Sequence, residues 1–251
     1  MHRFLAPTLD PGDDIVTLPR EEAEHLTRVL RLGVGDTIRV FDGRGHEFVA
    51  RVTAAHRRDV SAQILARAAA APEPAVAMTL TQAVLKGDKM DEVVRDAVML
   101  GVTAIQPVIT KRTEVTVAAL LRGNRVERWR RVALASAKQC RRAVVPEIRT
   151  PLTFDNAWLE PRPALSLMLV EPAAAGADAA TPAVEPLAVL RREPVPPDAA
   201  VWVGPEGGWD LQEQQQAHAA GARLLSLGAR TLRADAVPLV AASILGFLWD
   251  A

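Results

Sequence analysis

The sequence predicts an α/β protein built in two parts. Three observations carry that reading. Residues 1–67 break into short apolar runs separated by turn residues. Residues 67–74 (Arg-Ala-Ala-Ala-Ala-Pro-Glu-Pro) have no periodic face and carry two prolines, which marks a boundary. Beyond it, an apolar run, an amphipathic stretch and a second apolar run follow within about 30 residues. That is the pattern of a βαβ unit and of a sheet that is at least partly parallel.

In the first part, Ile15 to Leu18 reads as a short strand, and Arg20 to Leu30 has helical spacing with Ala23, Leu26, Val29 and Leu30 on one side. Thr37 to Phe41 alternates like a strand and runs into Asp42-Gly43-Arg44-Gly45, a hairpin signal. Glu47 to Thr53 and Val60 to Leu65 complete the set, so a small barrel is expected.

In the second part, Met78 to Leu85 is strand-like and Lys86 to Lys89 is a turn. Asp88 is placed to cap a helix whose stripe is Met90, Val93, Val94, Ala97 and Val98, and Gly101 ends it. Thr103 to Val108 is the next strand. From about Asn124 to Arg142, Val126, Trp129, Ala133, Ala137 and Cys140 share one side of a helix. Arg128, Arg131, Lys138 and Arg142 fall nearly opposite. Such a row of cations suits either a phosphate backbone or a plain charged outer face. Leu165 to Val170 is a buried strand ending at Glu171-Pro172. Residues 173–200 are rich in Ala and Pro and read as a surface excursion, partly mobile.

Val201 to Val203 is the end of another buried strand. It leads into Gly204-Pro205-Glu206-Gly207-Gly208, which is a loop with exposed amides, serving either as a simple turn or as a ligand cradle. Asp210 and Glu213 form a capping box for the helix that follows. Leu227 to Arg233 is a second loop, and Asp235 is placed to cap a final helix with Pro238 in its first turn. Strand ends near residues 170, 204 and 227 are thus candidates to converge on one small molecule.

Composition bounds the function. The 251 residues carry no net formal charge, but residues 1–150 hold 24 Lys and Arg against 18 Asp and Glu, and residues 151–251 hold 6 against 12. A basic half on a neutral chain suits either a polyanionic partner or an ordinary solvated helix face. The single cysteine, Cys140, excludes an internal disulfide, and Met1 to Pro7 has no apolar leader, so a cytoplasmic location is expected. The longest apolar stretch, residues 236–249, is too short to span a bilayer. Five scattered histidines argue against a metal site. Neither a Gly-x-Gly-x-x-Gly turn, a phosphate-binding Gly-Lys-Ser/Thr nor a Gly-x-Ser-x-Gly elbow is present.

Taken together, Gly204 to Gly208, Leu227-Gly228 and Leu232-Arg233 before a C-terminal helix resemble the SPOUT class of methyltransferases. The resemblance narrows over nearly the whole chain. Arg28 to Leu32 with Phe41-Asp42-Gly43, Lys86 to Met90, Gly101-Val102, Arg112, Gln139 with Arg142, and Pro146 to Ile148 resemble the RsmE family of small-subunit ribosomal RNA uridine methyltransferases.

That resemblance implies a PUA-like RNA-binding barrel over residues 1–72. It implies a SPOUT domain over 73–251, with a trefoil knot at about 200–249 and a mostly parallel sheet. It implies S-adenosylmethionine as cofactor, held by Val170, Glu171, Gly204, Pro205, Glu206, Gly207, Leu227, Gly228 and Leu232. Methyl transfer to ring nitrogen 3 of a uridine, in ribosomal RNA of the assembled small subunit, would use Arg112 and Arg233. Arg28, Arg31, Lys86, Lys89, Arg128, Arg131, Lys138, Gln139 and Arg142 would contact RNA. A homodimer is implied, with no metal and no membrane. The family pattern Leu-Arg-Thr-Glu-Thr-Ala becomes Leu232-Arg233-Ala234-Asp235-Ala236-Val237 here, a shorter acid with two hydroxyls lost. The alternatives are a non-catalytic RNA-binding or ribosome-assembly protein on the same fold, and a SPOUT methyltransferase with another RNA target.

Overall fold

The computed structural model describes residues 1–172 and 182–250. The chain divides into two compact units. One comprises Met1–Glu73 with Ala137–Val145, and the other Pro74–Ser136 with Pro146–Ala251.

The first unit is a five-stranded sheet. Its strands are β1 (Arg3–Leu5), β2 (Ile15–Thr17), β3 (Thr37–Phe41), β4 (Glu47–His56) and β5 (Asp59–Ala68), in the order β1-β3-β4-β5-β2. β1 runs parallel to β3 and the other pairings are antiparallel. Alternation along β3 buries Ile38 and Val40 with Phe4, Leu18 and Leu26 in one core. Between β3 and β4, the buried Asp42 carboxylate accepts the Arg44 and His46 amides at 2.7 and 3.0 Å and faces His46 Nδ1 at 2.8 Å. Burial pushes its pKa up, but His46 and those amides outweigh burial and hold it below the usual carboxylate value.

The helix expected over 20–30 is regular only through α1 (Arg20–Glu24), and then widens into a π turn over His25–Val29. The Arg3 guanidinium spans the unit. It pairs with buried Glu47 at 2.9 Å and donates to the Ala137, Lys138 and Arg142 carbonyls at 3.0 Å.

The second unit is an α/β sheet. Its strands are β6 (Ala77–Ala83), β7 (Ala104–Ile109), β8 (Glu147–Ile148), β9 (Leu152–Thr153), β10 (Leu165–Leu169), β11 (Glu185–Pro186), β12 (Asp198–Val203) and β13 (Arg223–Ser226). The order is β11-β13-β10-β12-β6-β7-β8, with β9 also on β7, and every pairing is parallel. The helices are α2 (Lys89–Met99), α3 (Val117–Arg122), α4 (Arg125–Gln139, whose last residues belong to the first unit), α5 (Phe154–Ala157), α6 (Leu211–Ala219) and α7 (Val237–Trp249).

β7 and β12 are buried almost throughout, as strands covered on both faces must be. Below the sheet's end lies an aromatic cluster. Trp158 stacks on Trp202 at 4.0 Å, and Phe154 sits 5.7 Å from Trp209. The order places β10 between β12 and β13, so the strand ends at Leu169, Val203 and Ser226 are neighbours.

Several local expectations change. Residues 182–200 are not a simple surface excursion: β11 pairs with β13, and Leu187 and Leu190 are buried in a 3-10 turn. The remainder of that expectation, residues 173–181, lies outside the described residues. Asp88 stands at the start of α2 without capping it: its φ of −94° and ψ of 2° are not the extended conformation of a cap, and its carboxylate faces Arg128 at 3.3 Å. Asp235 does not cap α7 either. Ala236 holds that position, and Asp235 is drawn to Arg233 at 2.9 Å. Asp210 and Glu213 do form their capping box.

The basic face expected over 124–142 also changes. α4 ends at Gln139, and Arg141 takes a φ of 66°, which turns the chain. Arg142 is therefore buried and pairs with Glu73 instead of facing solvent. Lys138 is half-buried against Glu22. Breaking a buried pair leaves an uncompensated charge, so Arg142→Ala is expected to lower stability by roughly 3 kcal/mol in denaturant unfolding. Arg131→Ala, at an exposed position, is expected to stay within about 0.5 kcal/mol.

Candidate functional site

A cavity of about 290 Å³ opens beyond the carboxyl ends of β10, β12 and β13. That is the position at which open α/β sheets hold ligands. Its walls are the three strand ends with their loops: Leu169 to Pro172, Val203 to Trp209, and Leu227 to Val237 in part. Val184 and Gln214 complete it, and Arg112 reaches in from the loop after β7. Leu169, Val170, Val203, Leu227, Leu232 and Val237 give it an apolar lining. Main-chain groups of the glycine loop and a few charged side chains supply the polarity. Polar and apolar surface contribute equally to the lining, a more polar make-up than most small-molecule sites have, and the volume is at their lower end, about 300 Å³.

Two glycines are required by the packing of the loop. A Cβ on Gly204 would stand 3.2 Å from the Trp209 indole, tighter than side chains normally approach. Gly208 takes a φ of 69°, which a residue with a side chain adopts only with strain. Under Gly204, Trp209 Nε1 donates to the Leu169 carbonyl at 2.9 Å, joining the end of β10 to the loop after β12.

The outer side of the loop is held by groups from the loops after β6 and β7 and from the start of α2. Glu206 Oε1 accepts the Lys86 amide at 3.1 Å and Lys89 Nζ at 2.9 Å. Burial alone would raise the Glu206 pKa, but Lys89 and the amides hold it below the ordinary carboxylate value. Arg112 Nη1 donates to the Gly207 carbonyl at 2.7 Å. Glu213, itself buried, uses one oxygen to accept the Lys111 amide at 2.8 Å and the other to accept the Asp210 amide at 2.9 Å. Lys111 Nζ reaches Asp210 at 3.1 Å. The glycine loop is therefore fixed on both sides.

The residues named from sequence distribute as follows. Val170, Glu171, Gly204, Pro205, Glu206, Gly207, Leu227 and Leu232 all line this cavity. Gly228 does not. It lines a neighbouring apolar cavity of about 520 Å³ with Leu187, Ile244 and Phe247. Arg112 is in the wall, whereas Arg233 is 74% exposed, paired with Asp235, and outside it.

Among the residues named as RNA contacts, Lys86 pairs with Glu114, Lys89 with Glu206, and Arg128 with Asp88 and Asp91. Arg28, Arg31, Arg131 and Gln139 are exposed and carry no hydrogen bond or ion pair among the described residues. Arg31 is held at a φ of 55° just beyond the π turn.

Sequence reasoning missed Trp209, Val184, Gln214 and Arg230 as wall residues. Arg230 lies within the Leu227–Leu232 segment already singled out, and Trp209 directly follows the glycines, so position was the available signal. Val184 and Gln214 join only through the tertiary fold. Among the described residues no group of His, Cys, Asp or Glu is arranged to hold a metal, and no helix is long and apolar enough to cross a membrane.

Comparison with known proteins shows the family. Residues 72–246 match the RNA methyltransferase domain family, and residues 18–65 match the RNA methyltransferase PUA domain. The chain is 33% identical over 238 residues to ribosomal RNA small subunit methyltransferase E of a Synechocystis strain, covering 94% of this chain and 74% of that relative. It is 28% identical over 252 residues to the protein of the same name in Aquifex aeolicus, covering 98% and 99%. The crystal structure of a ribosomal RNA small subunit methyltransferase E from Neisseria gonorrhoeae, bound to S-adenosyl methionine, superposes with a TM-score of 0.84 at 33% identity, covering 99% of this chain and 98% of that one. With a methyltransferase family matched over most of its length and a PUA domain before it, the chain belongs to the RNA methyltransferase family.

Proposed function

We propose that this RNA methyltransferase transfers a methyl group from S-adenosylmethionine to ring nitrogen 3 of a uridine in small-subunit ribosomal RNA. The observation that carries the reading is the cavity at the three adjacent strand ends, walled by two loops that also carry the family resemblance. Its residues fit such a cofactor. Gly204 and Gly207 leave main chain open to close approach, and Val170, Leu227 and Leu232 offer apolar surface to an adenine and ribose. The relative from Neisseria gonorrhoeae, which holds S-adenosyl methionine, supports the assignment.

The cofactor brings a methyl group already activated on a sulfonium, which leaves the protein mainly to position and to stabilise charge. Gly204, Gly207, Leu227 and Leu232 hold adenine and ribose. Arg112, fixed by the Gly207 carbonyl, stabilises negative charge on the uracil as its ring nitrogen loses a proton. Arg233 is the second candidate for that task, and its pairing with Asp235 sets its direction. A dry wall of Leu169, Val203 and Trp209 excludes water from one side.

RNA contact falls to the exposed, uncommitted residues: Arg28 and Arg31 in the first unit, Arg131 and Gln139 on α4. Lys86, Lys89, Arg128, Lys138 and Arg142 serve the fold first, because each already has an acidic partner. A homodimer is part of this reading, supported by the exposed Leu239, Ile244 and Phe247 of α7, the last 70% exposed, which suit a second copy of the chain. A trefoil knot over about 200–249 is part of the same reading.

The direct test is labelled methyl transfer to small subunits lacking the modification, followed by nucleoside mapping. The expected product is 3-methyluridine. RNA binding without transfer, or a different nucleoside, contradicts the proposal. Arg28→Ala and Arg131→Ala are each expected to weaken RNA binding and to reduce its salt slope by about 1 for each phosphate no longer engaged. Cofactor affinity, read by calorimetry, is expected to stay unchanged in both.

A further inference from the structure

Among the described residues the cavity wall holds four charged side chains, and two of them are already committed. Arg112 is bonded to the Gly207 carbonyl, and Glu206 is paired with Lys89. The other two, Arg230 and Glu171, have no hydrogen bond or ion pair among the described residues. Both are exposed at the cavity. They come from different strand ends: Glu171 follows β10 and Arg230 follows β13. Glu171 Oε1 lies 3.4 Å from where a Cβ on Gly208 would stand, so the acid overhangs the glycine loop without bonding to it.

A cavity with one charge of each sign left uncommitted among the described residues selects a particular ligand chemistry. A purely anionic group satisfies Arg230 but is repelled by Glu171, and a purely cationic group does the reverse. A zwitterion satisfies both. An α-carboxylate matches the planar fork of a guanidinium, and an α-ammonium presents three donors to a carboxylate.

We propose that Arg230 and Glu171 receive the amino-acid tail of the cofactor, the guanidinium taking its α-carboxylate and the carboxylate its α-ammonium. The proposal rests on the reading of this cavity as the S-adenosylmethionine site. It gives Arg230 a task distinct from that of Arg112, which faces the base. It also explains how a net-neutral pair of charges is left open in a wall whose other charges are matched. The tail, once bound, closes both charges away from water and strengthens each interaction.

Two probes separate the tail from the rest of the molecule. S-adenosylhomocysteine carries the zwitterionic tail, and 5′-methylthioadenosine has the same nucleoside without it. Calorimetry on the full chain measures both. Arg230→Ala is expected to weaken S-adenosylhomocysteine binding about tenfold, as removal of one charge-assisted hydrogen bond would, and to leave 5′-methylthioadenosine unchanged. Arg230→Lys is expected to restore part of the affinity. Glu171→Gln is expected to show the same selectivity for the tailed compound. Equal weakening of both probes, or no effect on S-adenosylhomocysteine, overturns the proposal while leaving the cofactor site in place. Failure of the unsubstituted protein to bind either probe overturns the cofactor reading and the proposal with it.

Discussion

The hydrogen bond from Trp209 to the Leu169 carbonyl is the constraint on which the site depends. Parallel strands end side by side with nothing between their ends to hold their loops at fixed distances. Here β10, β12 and β13 end next to one another. One indole then ties the end of β10 to the loop beyond β12 and fills the space beneath Gly204. The ring rests on Phe154, which in turn contacts the stacked Trp158 and Trp202. The glycine loop is thus supported by rigid aromatic packing below and by Glu206, Arg112 and Glu213 around its rim.

This arrangement separates two tasks that the sequence presented as one. The basic excess of the first 150 residues reads either as a polyanion-binding field or as an ordinary charged outer face. In three dimensions part of it is committed to ion pairs within the fold. Arg142, Lys138, Lys89 and Arg128 neutralise acids that lie far from them in sequence, and Arg3 anchors the carbonyls at the end of α4. A charge spent on a buried or half-buried partner is not available to a phosphate. What remains for RNA is a smaller set, led by Arg28, Arg31 and Arg131.

The sequence made legible whatever depends on local chemistry. The strands Thr37–Phe41 and Leu165–Leu169 and the end of β12 at Val201–Val203 follow from apolar runs, and the α6 capping box follows from Asp210 and Glu213 three residues apart. The glycine loop was legible because its composition permits nothing else. Features that depend on distant partners were not. Asp88 and Asp235 look like caps, but an arginine competes for each carboxylate. β1 is three residues long, too short to show a period, and it forms through its parallel neighbour. The return of residues 137–145 to the first unit hangs on Arg3, more than 130 positions away. Gly228 was grouped with its loop, although the main chain turns it toward the neighbouring cavity.

The central claim is that the cofactor cavity exists because the strand ends are locked together by Trp209. Calorimetric titration of Trp209→Phe with S-adenosylmethionine tests it most directly, since an aromatic ring is kept and the hydrogen bond is removed. A buried carbonyl left unpaired costs about 1–3 kcal/mol, and a loop freed in this way is predicted to bind the cofactor about tenfold more weakly. Far-UV circular dichroism is predicted to stay unchanged. Affinity equal to that of the unsubstituted protein would contradict the claim.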